Sequence, residues 1–308
     1  MKKVLVTGAN GFVGSAVCRE LDSRGIRVSA VVRDEDSAVG RIGDIDGIDI
    51  IYMDLSAIHK LHEIVSDRDF DVFYHFAWTG SAGPLRGDYS VQLKNIEYTC
   101  NAVKAARKLG CSRFVFAASI MEYEVRKLME TDKKAGINTL YSTAKLAAEY
   151  MARAEADHEG IEYVGGVISN IYGPGETSPR LVNTTIRKLQ NGDYCTFSPG
   201  EQLYDFIYVD DAARAFYELG ENALPGRSYY VGSGEIRQLR YYLETIRDVV
   251  APGTEIGLGA IPFDGVSLTY KELDTDALRK DTGFVPAVGF EEGIRRTDLW
   301  IREVRKNG

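Results

Sequence analysis

Lys3-Val4-Leu5-Val6-Thr7-Gly8-Ala9-Asn10-Gly11-Phe12-Val13-Gly14 is the stretch that decides the fold. Lys3–Thr7 is a short β-branched run, and Gly11–Arg24 carries apolar residues at helical spacing through Val13, Val17 and Leu21. A strand, a glycine-rich turn and a helix, in that order, form the context of a dinucleotide-binding turn. One small residue there permits the tight bend, a second lets the backbone approach a pyrophosphate, and a third lets the helix pack close to the strand. Unpaired N–H groups at the helix start then face the anion. The cofactor-binding residues expected on this turn are Gly8, Asn10, Gly11, Phe12, Val13 and Gly14. Their spacing is GxxGxxG rather than the commoner GxGxxG, and a glycine-rich βα turn without a ligand reads the same way.

Outward from that turn, strands and helices alternate. Arg27–Val32, Asp49–Met53, Asp71–Ala77, Ser112–Ala118 and Glu162–Ser169 read as strands, and Tyr89–Leu109 and Leu140–Glu159 as helices. Continuous apolar strands between helices mean a parallel sheet covered on both faces. The expected class is α/β: a Rossmann-type doubly wound parallel sheet with a smaller, mixed α/β C-terminal substrate-binding region. After about residue 170 the pattern loosens. Gly173-Pro174-Gly175 and Ser198-Pro199-Gly200 mark turns, and Pro179–Asn191, Val209–Glu221 and Gln238–Val249 read as helices with short strands between them. This places a dinucleotide-binding domain in residues 1–170 and a substrate-binding region in residues 171–308, with a soft boundary and interleaved segments.

A chain of 308 residues suffices for one large domain or two modest ones. Its shares of hydrophobic (44%) and charged (27%) residues are ordinary for a globular protein. The net charge is −8 with no basic run, which argues against a nucleic-acid partner. No stretch approaches the ~20 apolar residues of a membrane span. The first apolar run ends at Thr7, too short for a secretion signal. Cys18, Cys100, Cys111 and Cys195 form no CxxC pair, and His59, His62, His75 and His158 are dispersed. Neither a disulfide framework nor a metal site is therefore expected, and a reduced, cytoplasmic protein is.

Chemistry is suggested by Tyr141-Ser142-Thr143-Ala144-Lys145. Residues four apart share a helix face, so Tyr141 and Lys145 project together. A lysine beside a tyrosine favours the phenolate, which makes Tyr141 a candidate proton donor or acceptor. Packing plus a solvated charge would give the same spacing without function. The end of the second strand bears on cofactor choice: Arg33 accommodates a 2′-phosphate and favours NADP, whereas Asp34 leaves NAD open. Asp54 and Leu55, after the third strand, are placed to touch the adenine.

Together these features resemble the extended short-chain dehydrogenase/reductases, the NAD(P)-dependent epimerase/dehydratase group that acts mostly on nucleotide sugars. The resemblance spans nearly the whole chain: Thr7–Gly14, Asp54-Leu55, His75-Phe76-Ala77, Asn95, Ser119, Tyr141 with Lys145, Asn170–Gly175 and Tyr204–Asp211. Gly283-Phe284-Val285-Pro286 and Phe290–Ile294 are similar to the group's usual ending. It implies that Tyr141 is the acid/base, that Lys145 holds the nicotinamide ribose, and that Ser119 holds the reacting oxygen. Phe76, Ala77, Trp78 and Asn95 would line the cofactor, and Trp78, Ser119, Met121, Asn170 and Tyr204 the substrate. A homodimer pairing Tyr89–Leu109 and Leu140–Glu159 between subunits is also implied.

The departures narrow the reading. Dehydratases of the group carry an Asp-Glu pair where this chain has Ile120 and Met121, and eliminating water needs a proton donor there. Glu122 comes one position late, and on an extended segment it would face away from Ser119's neighbours. Trp78 replaces a small residue, Tyr204 an arginine that clamps the diphosphate, and Val167 another arginine; Arg180, Arg187, Arg237 or Arg240 are the candidates to compensate. The expected activity is epimerisation or 4-keto reduction of a nucleotide-linked sugar. The alternatives are an NADPH-dependent reductase of a carbonyl compound lacking the nucleotide, and a non-catalytic NAD(P)-binding module.

Overall fold

The computed structural model describes residues 1–131, 133–263 and 265–307. In the first half, β1 (Lys3–Thr7), α1 (Phe12–Ser23), β2 (Arg27–Val32), β3 (Ile48–Tyr52), the short α2 (Leu61–Ile64), β4 (Val72–His75) and α3 (Tyr89–Lys108) follow one another. They are continued by β5 (Arg113–Ser119), α4 (Met121–Met129), α5 (Thr139–Glu159) and β6 (Glu162–Ile168). The second half holds β7 (Asn170–Tyr172), α6 (Leu181–Asn191), β8 (Thr196–Phe197), β9 (Leu203–Tyr204), β10 (Phe206–Tyr208), α7 (Val209–Glu221) and β11 (Arg227–Val231). It ends with β12 (Arg237–Gln238), α8 (Leu239–Val250), β13 (Gly257–Leu258), α9 (Ala277–Thr282) and α10 (Phe290–Asn307).

Seven parallel strands form the central sheet in the order β11-β6-β5-β4-β1-β2-β3. Side chains alternate across it. Val4, Val6, Val72, Tyr74, Val115 and Ala117 enter one core, while Leu5, Phe73, Phe114, Phe116 and Ala118 enter the other. Both faces are apolar because helices cover both. Val17 and Leu21 of α1 and Phe216 of α7 fill the first core. Ala102, Ala105 and Ala106 of α3 and Ala148, Ala152 and Ala156 of α5 line the second, where small side chains let two long helices approach the sheet closely. Each large apolar side chain fully buried this way contributes ~1.5–3 kcal/mol.

Two features position the site. The chain leaves β1 toward β2 and returns on its other side as β4, so the strand order reverses between β1 and β4, where ligands enter such sheets. The second half reaches back over that edge: residues 227–231 supply the outermost strand, and β7 pairs in parallel with β10 above the sheet. Asp205, fully buried just before β10, ties this region down. It accepts hydrogen bonds from the Tyr230 hydroxyl (2.8 Å), Ser233 N–H (3.0 Å) and Gly234 N–H (2.9 Å), and from the Ser233 hydroxyl. A third core, from α6, α8 and α10, forms around Ile186, Leu243, Ile246, Ile294 and Ile301. Among the described residues no helix is long and apolar enough to cross a membrane.

Candidate active site

The glycine turn is built by close approach. Gly8 has φ +68°, and a Cβ there would meet Ala77 N at 2.7 Å. A Cβ at Gly14 would lie 2.2 Å from the Gly8 carbonyl oxygen. Gly11 caps α1 in extended conformation and contributes no side-chain hydrogen bond, so no side chain competes for the first N–H groups of a twelve-residue helix. These groups open on a cavity of about 760 Å³. An uncapped helix start, a turn with no room for side chains and a cavity of that size fit a dinucleotide.

Asn10, Phe12 and Val13 line the cavity with the three glycines. At the adenosine end, Arg33, Asp54 and Leu55 also line it. Asp54 caps the turn that follows β3, accepting from Ser56 N–H (2.9 Å) and Ser56 Oγ (2.6 Å). Those bonds, aided by Arg33, hold its carboxyl below the usual range. Asp34 accepts from Ser37 Oγ (2.7 Å) and does not line the cavity. Arg41 does line it, and no motif in the sequence points to it. It straps the loop after β2 across the opening by donating to Asn10 O (3.2 Å), Gly175 O (2.7 Å) and Thr177 Oγ1 (3.3 Å).

Ser119, Tyr141 and Lys145 meet on the wall formed by β5 and α5. Lys145 Nζ donates to Ala117 O (2.9 Å) and lies 3.8 Å from the centre of the Trp78 indole. Trp78 meets the Tyr141 ring edge-on at 6.0 Å and donates through Nε1 to Gln92 Oε1 (3.0 Å). The Ser119 hydroxyl accepts from Met121 N–H (3.2 Å). Phe76 and Ala77 line the cavity beside them, Phe76 packing edge-on against Phe216 at 4.7 Å.

The electrostatics differ from the simple reading of a Tyr/Lys pair. Burial pushes the Tyr141 phenol up; the Ser119 hydroxyl, then Arg86 and Arg180, draw it back down. Lys145 is itself desolvated to about 7, with Glu122 opposing the fall. The cations that favour the phenolate before ligands bind are therefore arginines that the sequence did not single out for that role. Burial comes first for both groups because neither the phenol nor the ammonium reaches bulk water.

Glu122 also departs from expectation. Residues 121–129 form a helix rather than an extended segment, so Glu122 turns back on its own strand end and accepts the Ser119 N–H at 2.8 Å. It is buried and does not line the cavity; burial and the nearby Glu149 raise its carboxyl well above the usual range.

At the other end of the cavity, Asn95 lines the wall and pins the loop after β4, donating to Thr79 O (2.8 Å) and accepting from Thr79 N–H (3.0 Å). Gln92 holds the same loop by donating to Gly80 O (3.3 Å) and Leu85 O (3.0 Å). From that loop Arg86 lays its guanidinium 3.9 Å from the centre of the Tyr141 ring. Met121 and Asn170 line the cavity, with Asn170 Nδ2 donating to Asp205 O (3.0 Å). Tyr204 does not: it stacks on Phe206 at 5.7 Å, in the third core. Arg180 lines the cavity and pairs with Glu176 at 3.2 Å; Arg187, Arg237 and Arg240 lie elsewhere. Among the described residues no cluster of His, Cys, Asp and Glu could hold a metal.

A family model described as the NAD dependent epimerase/dehydratase family matches residues 4–232. The chain is 25% identical to a UDP-N-acetyl-alpha-D-glucosaminuronate decarboxylase of Bacillus cytotoxicus, over 99% of each chain. It is 25% identical to an Escherichia coli dTDP-glucose 4,6-dehydratase, covering 97% of this chain and 93% of that one. Its fold is similar to that of a UDP-N-acetylglucosamine 4-epimerase from Methanobrevibacter ruminantium M1, solved with UDP-N-acetylmuramic acid, with a TM-score of 0.81 at 23% identity over 98% of this chain and 99% of that one.

Proposed function

The chain belongs to the NAD-dependent epimerase/dehydratase family, and we propose that it epimerises or reduces a hexose carried on a nucleoside diphosphate, with Tyr141 as acid/base. The observation that carries this reading is that Ser119, Tyr141 and Lys145 line the same cavity as the uncapped glycine turn. A nicotinamide dinucleotide held there would supply the hydride chemistry at the sugar carbon. Tyr141 exchanges the proton of the sugar oxygen, and Ser119 Oγ holds that oxygen in place. Lys145, fixed between Ala117 O and the Trp78 ring, holds the nicotinamide ribose. The glycine turn holds the pyrophosphate, with Asp54, Leu55, Phe76, Ala77 and Asn95 along the rest of the dinucleotide. Trp78, Met121 and Asn170 face the sugar. Residues 171–308 act as the substrate-binding region.

Our reading disfavours dehydration, since Ile120 and Met121 have no acidic proton to give and Glu122 does not line the cavity. Arg33 at the adenosine end favours NADP, and with it keto reduction, as the second form of the reaction. The relatives act on or bind nucleotide-linked sugars by their names, which supports the substrate class. Tyr89 and Leu93 on α3 and Tyr150 and Met151 on α5 are exposed apolar residues that suit pairing with a second copy of the chain.

The test begins with the protein as purified. An epimerase retains its dinucleotide and turns over a UDP- or dTDP-hexose without added coenzyme; a ketoreductase consumes NADPH in proportion to keto sugar. Tyr141→Phe stops either reaction, a loss of ~10²–10⁴-fold, with dinucleotide affinity nearly intact. Full turnover in Tyr141→Phe removes Tyr141 from its role.

A further inference from the structure

Arg86 lines this cavity, and beyond its pull on the Tyr141 phenol it has been given no role. Its guanidinium is half-buried over the Tyr141 ring, and Nη1 donates to Ser81 O at 2.9 Å. Among the described residues no carboxylate lies within ion-pair distance of it. Arg180 acts on it as a second positive charge, although it is shared with Glu176, and Glu124 acts on it as a weaker negative one. A guanidinium presents several fixed donors, and among the described residues only Nη1 has a protein acceptor, so the remaining donors are free to meet an anion. The groove is thus built to receive negative charge beside the phenol.

We propose that Arg86, assisted by Arg180, recognises a carboxylate on the sugar ring next to the reacting carbon, so that the preferred substrate is a nucleotide-linked uronic-type sugar. This rests on the nucleotide-sugar reading of the same cavity. The position discriminates between the anions such a substrate offers. Arg86 stacks on the residue that touches the reacting oxygen. With C4 at Tyr141, the substituent on C5 is its immediate neighbour, whereas the diphosphate leaves from C1 across the pyranose ring. A carboxylate on C5 therefore falls within reach of Arg86. The guanidinium meets it as a fork, giving two parallel charge-assisted hydrogen bonds in a partly buried site. A neutral hydroxymethyl group at the same place leaves the guanidinium without its counter-charge.

The experiment compares UDP-glucuronic acid, UDP-glucose and UDP on the full chain with its dinucleotide bound, in wild type, Arg86→Met and Arg86→Lys. The quantity read is the ratio of kcat/KM, and of binding affinity, for the acid over the neutral sugar. The expected wild-type preference for the acid is at least roughly tenfold, the scale of a charge-assisted hydrogen bond. Arg86→Met collapses the ratio toward one, and Arg86→Lys, which keeps charge without the fork, restores part of it. No wild-type preference overturns the proposal, and that comparison stands even if Arg86→Met fails to fold. Equal losses for both sugars and for UDP assign Arg86 to the diphosphate, and a fall in kcat alone, equal for both sugars, assigns it to positioning Tyr141; either result overturns the proposal. Failure of all three ligands to bind, UDP included, removes the nucleotide-sugar reading and this inference with it.

Discussion

Gly14→Ala tests the cofactor turn at its tightest point. The new methyl carbon would stand 2.2 Å from the Gly8 carbonyl oxygen, 2.9 Å from the Gly8 carbonyl carbon and 3.1 Å from Ala9 Cα. All three are backbone atoms, so no rotamer change relieves the clash, and the turn must open by about 1 Å. Overpacking of this kind costs ~1–3 kcal/mol, offset by ~1 kcal/mol from alanine's better helix propensity. The net loss is ~0–2 kcal/mol, a fall of at most a few degrees in Tm. Dinucleotide binding suffers more. An N–H group displaced by about 1 Å leaves hydrogen-bond range of a phosphate, and each such charge-assisted bond is worth ~1.5–3 kcal/mol, so affinity drops roughly 10–100-fold. Titration with NADH or NADPH, read by protein fluorescence, measures this beside a thermal melt. Gly25→Ala is the control. It has φ +72° with nothing within 4 Å of the new carbon, so it should lower stability by ~1 kcal/mol without touching affinity. If Gly14→Ala binds the dinucleotide as tightly as Gly25→Ala does, the turn is not where the pyrophosphate sits.

Three further outcomes are expected. Arg33→Ser should weaken NADP binding about tenfold while leaving NAD affinity within about twofold, measured by calorimetry; parallel changes for both would remove Arg33 from the 2′-phosphate. Lys145 ionises near 7 in the fold against its ordinary 10.5, so the native state carries a costly buried charge at neutral pH that disappears as pH rises through that window. Lys145→Met should therefore be the more stable protein at neutral pH, with the gap in urea midpoints closing toward pH 10.5; a gap that widens with pH contradicts the desolvated lysine. Asp205→Ala strands the donors of Tyr230, Ser233 and Gly234 inside the protein, costing at least about 3 kcal/mol, and a denaturation midpoint within error of wild type would show that water takes over their bonds.

Much of the scaffold was legible because local chemistry and tertiary demand agree there. Lys3–Thr7, Arg27–Val32 and Val209–Glu221 occupy the expected bounds, and the long helices and inner strands fall within a residue or two of theirs. These segments are buried on a regular period, so hydrophobic pattern reports them directly. Glu122 was misplaced because Met121–Met129 packs little apolar surface and reads as readily as a strand exit; only the fold shows its carboxylate bound to the Ser119 N–H. Arg86 and Arg41 were invisible for a different reason. Arg41 sits in a loop and Arg86 in the short 3-10 turn Pro84–Gly87, neither long enough for periodicity to report burial. Tyr204 shows the limit of alignment to a motif: the position matches, but a phenol finds better company against Phe206 in the third core than along the cavity. The desolvation of Tyr141 and Lys145 is likewise collective, since no single neighbour in sequence causes it.

The loop between β4 and α3 hangs from the side chains of Gln92 and Asn95, both rooted in one helix, while Tyr141, Lys145 and Ser119 stand on α5 and the end of β5. The segment and the Tyr141 wall therefore have separate anchors and meet through Arg86, whose guanidinium lies 3.9 Å from the centre of the Tyr141 ring. Under the reading proposed above, rewriting residues 79–85 would retune which substituent is welcomed, provided the two amide anchors and the contact of Arg86 with Tyr141 remain. Directed evolution aimed at new substrates has its most economical starting point in that suspended segment.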